Sequence, residues 1–291
     1  MNYDIRYLTC YRYAAPVTDN LNALRVRPAT TSTQRCDEFH VRLDPEARVH
    51  RHVDYFGTEV LEFGVARPHE QLTIDVRARV VTAEPPEPPE APWEHLDAET
   101  YDEAGGEFLL AADDEPSDEA LDGLPAIARA RTPLATLRWL CELIPDRFAY
   151  RPGVTYVGST IEDLLAAGAG VCQDFVHLAL VLLRRQGIAA RYVSGYLFSA
   201  AQDGGADSVE VQTHAWLEAL LPGLGGRGEP LWVGADPTNR RLAGETHVKI
   251  GHGRRYGDVP PIKGVYRGAA GADLDASVRM TRLDPATSAR A

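Results

Sequence analysis

Gly168-Ala-Gly-Val-Cys172-Gln-Asp-Phe-Val-His177-Leu-Ala-Leu-Val-Leu-Leu-Arg184-Arg185-Gln-Gly187 decides how the rest of the chain is read. A glycine-flanked bend delivers one cysteine to the start of a segment with helical spacing. Phe175, Leu178, Ala179 and Leu182 fall on one stripe, and Val176, Leu180 and Leu183 lie beside it. A helix apolar almost all round belongs in a core, with a sheet wrapped around it. Arg184 and Arg185 suit the negative end of its dipole, and Gly187 suits the cap beyond it. At the other end sit unpaired N–H groups and the positive end of the dipole. A thiol held there ionises more easily, and the thiolate is the nucleophile.

Upstream of this helix, Ile161–Ala167 reads as a short helix capped by Ser159 or Thr160 and ended by Gly168. Two further helices, broken around Thr132-Pro133, are expected from Ile127, Ala130, Leu134, Leu137, Leu140, Cys141 and Ile144. Downstream, strands are expected over Ile188–Phe198, Thr213–Leu221 and Leu231–Asn239. Thr246–Ile250 and Ser277–Leu283 are expected to extend that same sheet. Polar loops lie between them, Gln202–Ser208 and Pro222–Pro230.

Residues 2–82 have a different character. Ile5, Tyr7, Thr9, Tyr11 and Tyr13 recur at strand period. Short runs of this kind follow, separated by turn signals at Ala15-Pro16, Pro28, Asp44-Pro45, Phe56-Gly57 and Pro68, as in an antiparallel sandwich. His50 and His52 would share a face, but no third ligand accompanies them, so exposed strand histidines are expected. Glu84-Pro-Pro-Glu-Pro-Pro-Glu-Ala-Pro is a stiff extended linker. The acidic stretch 98–120 reads as a solvated irregular connection. The expected organisation is therefore a β domain over 1–83, a linker over 84–124, a core over 125–284 and a frayed tail over 285–291. The fold class is α+β.

Within the core three residues stand out. Cys172 opens the helix, His214 opens a strand 42 positions later, and Asp236 ends the next strand after a further 22. A helix buried on an antiparallel sheet can bring these positions together. Thiol to imidazole to carboxylate is the order that nucleophilic catalysis needs. The imidazole takes the thiol proton and returns it to the leaving group, while the carboxylate orients the ring. A resting thiolate–imidazolium pair is expected. Asp174 is expected to cap the helix, His177 to hydrogen-bond within the core, and Trp216 to wall the site.

Composition excludes some alternatives. The chain has 42 acidic and 30 basic residues, a net charge of −12, which argues against nonspecific nucleic-acid binding and docking on anionic membranes. No apolar run is long enough to span a bilayer and no leader is visible, so the expected location is cytoplasmic. Cys10, Cys36, Cys141 and Cys172 form no CxxC pair. No metal site, nucleotide fingerprint or calcium loop is apparent, so no cofactor is expected.

The motifs Gly170-Val-Cys172-Gln-Asp-Phe-Val-His177, Thr213-His214-Ala-Trp216 and Asp236-Pro-Thr-Asn239 resemble the three signature segments of the transglutaminase-like superfamily, papain-like thiol enzymes. The flanks resemble its bacterial members too. They are Tyr11-Arg-Tyr-Ala-Ala-Pro-Val, Leu24-Arg-Val-Arg-Pro, Asp54-Tyr-Phe-Gly, Pro68-His and Gly253-Arg-Arg-Tyr-Gly-Asp-Val-Pro-Pro-Ile-Lys-Gly-Val. That branch usually has an acidic residue where Arg255 stands. The resemblance implies Cys172 as nucleophile, His214 as base and acid, and Asp236 as orienting group. The Cys172 backbone N–H would be the first oxyanion donor. Animal relatives take a second donor from a tryptophan before the cysteine. None lies between Tyr150 and Cys172, which leaves Tyr150, Tyr156 and Gln173 as candidates. The implied activity is acyl transfer at a peptide or carboxamide bond of a protein or peptide substrate. Hydrolysis is the leading expectation, with amine acyl transfer or cross-linking as one alternative and a non-catalytic scaffold as another.

Overall fold

The computed structural model describes residues 1–111, 115–121, 124, 129–199, 208–211, 213–224, 228–269 and 271–283. The helix expected around Ile127, most of the loop from Gln202, part of the Pro222–Pro230 turn and the tail 285–291 lie outside the described residues.

The first strand, β1 (Asn2–Leu24), is longer than its sequence suggested. Ala15-Pro16 does not end it. Proline lacks an N–H but fits a bulge, and the pairing register shifts between Arg12 and Val17 and again between Thr18 and Leu21. Beyond β1 come β2 (Gln34–Asp44), β3 (Val49–Val53), β4 (Glu59–Val65) and β5 (His69–Thr82). The first part of β1 pairs with β5, and its last residues pair with β4. One bent strand thus serves both limbs of a curled antiparallel sheet, and its alternating Tyr3, Ile5 and Tyr7 are buried inside.

The helices are α1 (Glu99–Gly105), α2 (Asp118–Leu121), α3 (Pro133–Arg147), α4 (Ile161–Ala167) and α5 (Cys172–Arg185). Two-residue strands β6 (Ala149–Tyr150) and β7 (Ala169–Gly170) pair in parallel just before α5. Then follow β8 (Ala190–Leu197), β9 (Ser208–Val211), β10 (Thr213–Leu221), β11 (Leu231–Asp236), β12 (Arg241–Leu242), β13 (His247–Gly253), β14 (Ile262–Arg267) and β15 (Ala272–Leu283). Among the described residues, the core sheet runs β12-β11-β10-β8-β13. Helix α5 is buried against it: Phe175, Leu178, Ala179 and Leu182 share a cluster with Ala215, Leu217 and Ala219 of β10.

Two expectations need correction. The expected Ser277–Leu283 strand is part of β15 and, like β14, does not extend the core sheet. Both strands pair with β1 and complete the amino-terminal sheet, with Tyr7 opposite Val278 and Leu21 opposite Val265. β13 does extend the core sheet, alongside β8. The acidic connection is not simply solvated. Its Tyr101 and Phe108 are buried with Ala189 and Leu220, and the Tyr101 hydroxyl donates to Leu220 O and accepts from Ala189 N, both at 2.9 Å. Two aromatic rings give an acidic segment enough apolar surface to dock.

The two sheets share one core. Tyr196 and Phe198, from the core sheet and its edge, cluster with Tyr3, Tyr7 and Ile5. Gln34 stitches the seam, since its Nε2 donates to Lys249 O at 2.7 Å and its Oε1 accepts from Lys249 N at 2.8 Å. None of the described helices is long and apolar enough to cross a membrane.

Candidate active site

Cys172 is the first residue of α5 and is partly exposed. The bend before it is tightly made. Gly168 ends α4 in the left-handed region (φ 61°), which favours glycine. A side chain at Gly170 would meet Asp174 Oδ2 at 2.7 Å and Leu164 Cδ1 at 2.8 Å. Asp174 caps the helix: its Oδ2 accepts from Val171 N at 2.8 Å and from the Thr155 hydroxyl at 2.6 Å. The second bond ties the 151–158 loop to the helix start. As the first helical residue, Cys172 has a backbone N–H without an intrahelical partner.

His214 and Asp236 stand at the ends of neighbouring antiparallel strands, β10 and β11. His214 Nε2 lies 2.8 Å from Asp236 Oδ2. That leaves Nδ1 for another partner, and Cys172 lies near enough for its charge to act on the ring. Burial works against a charged imidazole here, but the interactions with Asp236 and Cys172 overcome it and push His214 up to about 10. Asp236 is fully buried. Burial alone would favour its acid form, yet the two imidazoles facing it hold the carboxyl well below the ordinary range. Five contacts surround the carboxylate. Oδ1 accepts from Thr238 N (3.0 Å) and Asn239 N (3.2 Å), and Oδ2 faces Asn239 Nδ2 (2.7 Å), His214 Nε2 (2.8 Å) and His247 Nε2 (3.1 Å).

Trp216 is buried directly behind this row. Its indole packs over Gly195 of β8, where only glycine leaves room for it, and lies beside Gly234 of β11. A Cβ at Gly195 would meet Trp216 Cη2 at 2.4 Å, and one at Gly234 would come 3.7 Å from Trp216 Nε1. The indole stacks beside His214 (centroids 6.2 Å, 27°) and meets His247 edge-on (5.3 Å, 71°).

The candidate oxyanion donors are distributed unequally. Tyr150 is half-exposed, its ring meets Phe175 edge-on, and burial together with the nearby Cys172 and Asp236 charges raises its hydroxyl. Gln173 lines a cavity of about 790 Å³ that follows one face of α5 through His177, Leu180, Val181 and Arg184. Tyr156 is exposed in the loop, where its backbone N–H donates to Ser159 Oγ. His177 lies one face along, and its Nε2 accepts from Tyr256 N at 3.2 Å. His50 and His52 are exposed on β3.

Sequence reasoning missed His247. It opens β13, beyond the short strand β12 that follows Asp236, a proximity that no local pattern announces. With His214 and Asp236 it forms a group whose ligand-type atoms lie within 4.8 Å of one another. Gly244 N donates to His247 Nδ1 at 3.2 Å, which puts the ring proton on Nε2, facing Asp236. A hydrogen-bonded row, rather than a set of open lone pairs, is what these atoms make.

Comparison with known proteins agrees with this architecture. Residues 3–81 match the family described as "Bacterial transglutaminase-like N-terminal region", and residues 125–237 match "Transglutaminase-like superfamily". The chain is 35% identical over 282 residues to the uncharacterized protein ML0607 of Mycobacterium leprae, covering 94% of this chain and 96% of that one. It is 34% identical over 289 residues to the uncharacterized protein Rv2569c of Mycobacterium tuberculosis, covering 95% and 91%. A crystal structure titled "Putative Cysteine Protease from Cytophaga hutchinsonii" shares the fold, with a TM-score of 0.73 and 21% identity over 98% of this chain and 92% of that one. Family matches in both halves and full-length relatives place the chain in the bacterial transglutaminase-like family of the transglutaminase-like superfamily.

Proposed function

We propose that this protein is a cysteine hydrolase that cleaves a peptide or carboxamide bond through a thioester on Cys172. The observation that carries the reading is the 2.8 Å pairing of His214 with buried Asp236, in a site where the charge of Cys172, at the start of α5, also acts on the imidazole. Membership in a superfamily of chiefly cysteine peptidases and acyltransferases supports the thiol-dependent kind of chemistry.

In this reading Cys172 Sγ attacks the substrate carbonyl carbon, and its proton resides on His214. The oxyanion forms at the start of α5, where the Cys172 N–H is available. Tyr150, Tyr156 and Gln173 remain the candidate second donors. Collapse of the tetrahedral adduct breaks the C–N bond, and His214 protonates the departing amine. Water, deprotonated by His214, then releases the acid and regenerates the thiol.

Intact-mass analysis of the full chain with a library of peptides and glutaminyl peptides tests this. Wild type accumulates a thioester on Cys172, and Cys172→Ala does not. Equal turnover by the two would overturn the enzymatic reading. A product carrying added amine in place of water would make the protein an acyltransferase.

A further inference from the structure

We propose that His247 is a positioning residue for the Cys172–His214–Asp236 row, acting as a neutral donor that fixes Asp236 Oδ2 toward His214. The inference rests on the reading of Cys172 as nucleophile given above.

Asp236 Oδ2 has two imidazole neighbours, His214 Nε2 at 2.8 Å and His247 Nε2 at 3.1 Å. Their jobs differ because their other nitrogens differ. In the reading above, His214 offers its second nitrogen to the thiol. His247 spends its own on the backbone, accepting from Gly244 N at 3.2 Å. An N–H donor fixed on Nδ1 leaves the His247 proton on Nε2 and the ring uncharged. Burial favours the same state and lowers its affinity for a second proton, although Asp236 pulls the other way.

Charge is the reason this matters. A cation at His247 would neutralise Asp236 and weaken its hold on the His214 imidazolium. A neutral donor adds a bond and leaves the negative charge intact. The charged neighbours that act on His247 are Asp236, His214 and Arg241. Arg241 and His214 both disfavour a second proton there. The charge of Asp236 also reaches Cys141 and Tyr150. Trp216, packed against both rings, holds them apart and keeps the carboxylate as their meeting point. Without His247, Oδ2 keeps Asn239 Nδ2 at 2.7 Å and is free to turn toward it, away from His214.

The test uses the full chain and iodoacetamide, with Cys172 followed by peptide mass. His247→Leu removes the donor at similar volume. His247→Gln keeps an N–H near the Nε2 position. At pH 6 the His247→Leu sulfur alkylates about ten-fold more slowly than wild type. His247→Gln stays within about three-fold of wild type. At pH 10, above the range in which an ordinary free thiol ionises, all three agree. Equal rates for wild type and His247→Leu at pH 6 overturn the inference. A wild-type Cys172 no faster than Cys10 or Cys36 at pH 6 overturns the nucleophile reading itself, and this inference with it. Should His247→Leu not fold, ¹⁵N shifts of the wild-type rings decide. A neutral Nε2–H tautomer at His247 from pH 6 to 9 supports the proposal, and a charged ring or an Nδ1–H tautomer overturns it.

Discussion

His214 Nε2 and Asp236 Oδ2 lie 2.8 Å apart at the ends of adjacent antiparallel strands. The carboxylate is wholly buried while the imidazole side chain retains 11% exposure. The inner partner is thus fixed by the fold and the outer one opens on the site. Asp236→Asn keeps the shape and removes the charge. Its amide also lacks the acceptor capacity that three N–H groups on Oδ2 need. Turnover is expected to fall by about 10²- to 10⁴-fold, the range that positioned acid–base catalysis contributes. Urea titration of the same variant should show destabilisation too, because buried donors lose their acceptor.

The two raised and lowered groups set a pH window. His214 holds its proton with a value of about 10 when folded, against 6.5 for the free side chain. Its contribution to stability is complete below about pH 6.5 and is lost as pH rises through about 10. Asp236 is held below its free value of 3.8, so its contribution is present above that pH and fades as pH falls further. Calorimetry from pH 5 to 10 should show a plateau at the acid end of that range and a falling Tm above about pH 7. In His214→Gln the alkaline fall should be shallower. An unchanged slope would mean that the imidazolium contributes nothing to the folded state.

Much of the site was legible because its residues open or close elements. Cys172 starts an almost wholly apolar helix, and His214 and Asp236 sit at the ends of strands that hydrophobic alternation reveals. What was not legible depends on pairing between distant segments. Nothing near Pro16 tells a reader that β1 continues beyond it, since the bulge is stabilised by β5, β4 and β14 together. Nothing in 262–283 distinguishes a strand of the core sheet from one returning to residue 2. Tyr101 and Phe108 were obscured by the acidic residues around them, because mean polarity hides two well-placed rings. His247 is invisible for the same reason as β15: its partner is reached through a turn and across strands.

The docked connection gives a sharp stability prediction. Tyr101 OH satisfies one carbonyl and one N–H on two different strand ends, Leu220 and Ala189. Tyr101→Phe retains the ring and leaves both backbone groups buried without that partner. The expected cost is about 1–3 kcal/mol. Tyr101→Ala adds a cavity, raising the cost to about 3–5 kcal/mol. Chemical denaturation of both variants measures the difference. Equal, near-zero costs would show that the 93–108 segment lies loosely on the sheet.

Gly195 offers the most direct link between backbone packing and the candidate chemistry. A Cβ there would lie 2.2 Å from Val248 O and 2.4 Å from Trp216 Cη2. The first contact is with backbone of the adjoining strand, which cannot yield without opening the β8–β13 ladder. The second is with the indole that backs both His214 and His247. Gly195→Ala is therefore expected to cost about 1–3 kcal/mol by overpacking, and also to push Trp216 toward the two imidazoles. Iodoacetamide labelling of Cys172 at pH 6 should slow in this variant, even where circular dichroism shows a folded chain. Gly106→Ala is the control, because nothing lies within 4 Å of a Cβ placed there. Labelling that slows equally in both would assign the effect to general loosening, whereas a selective loss in Gly195→Ala ties the indole's seat to the sulfur.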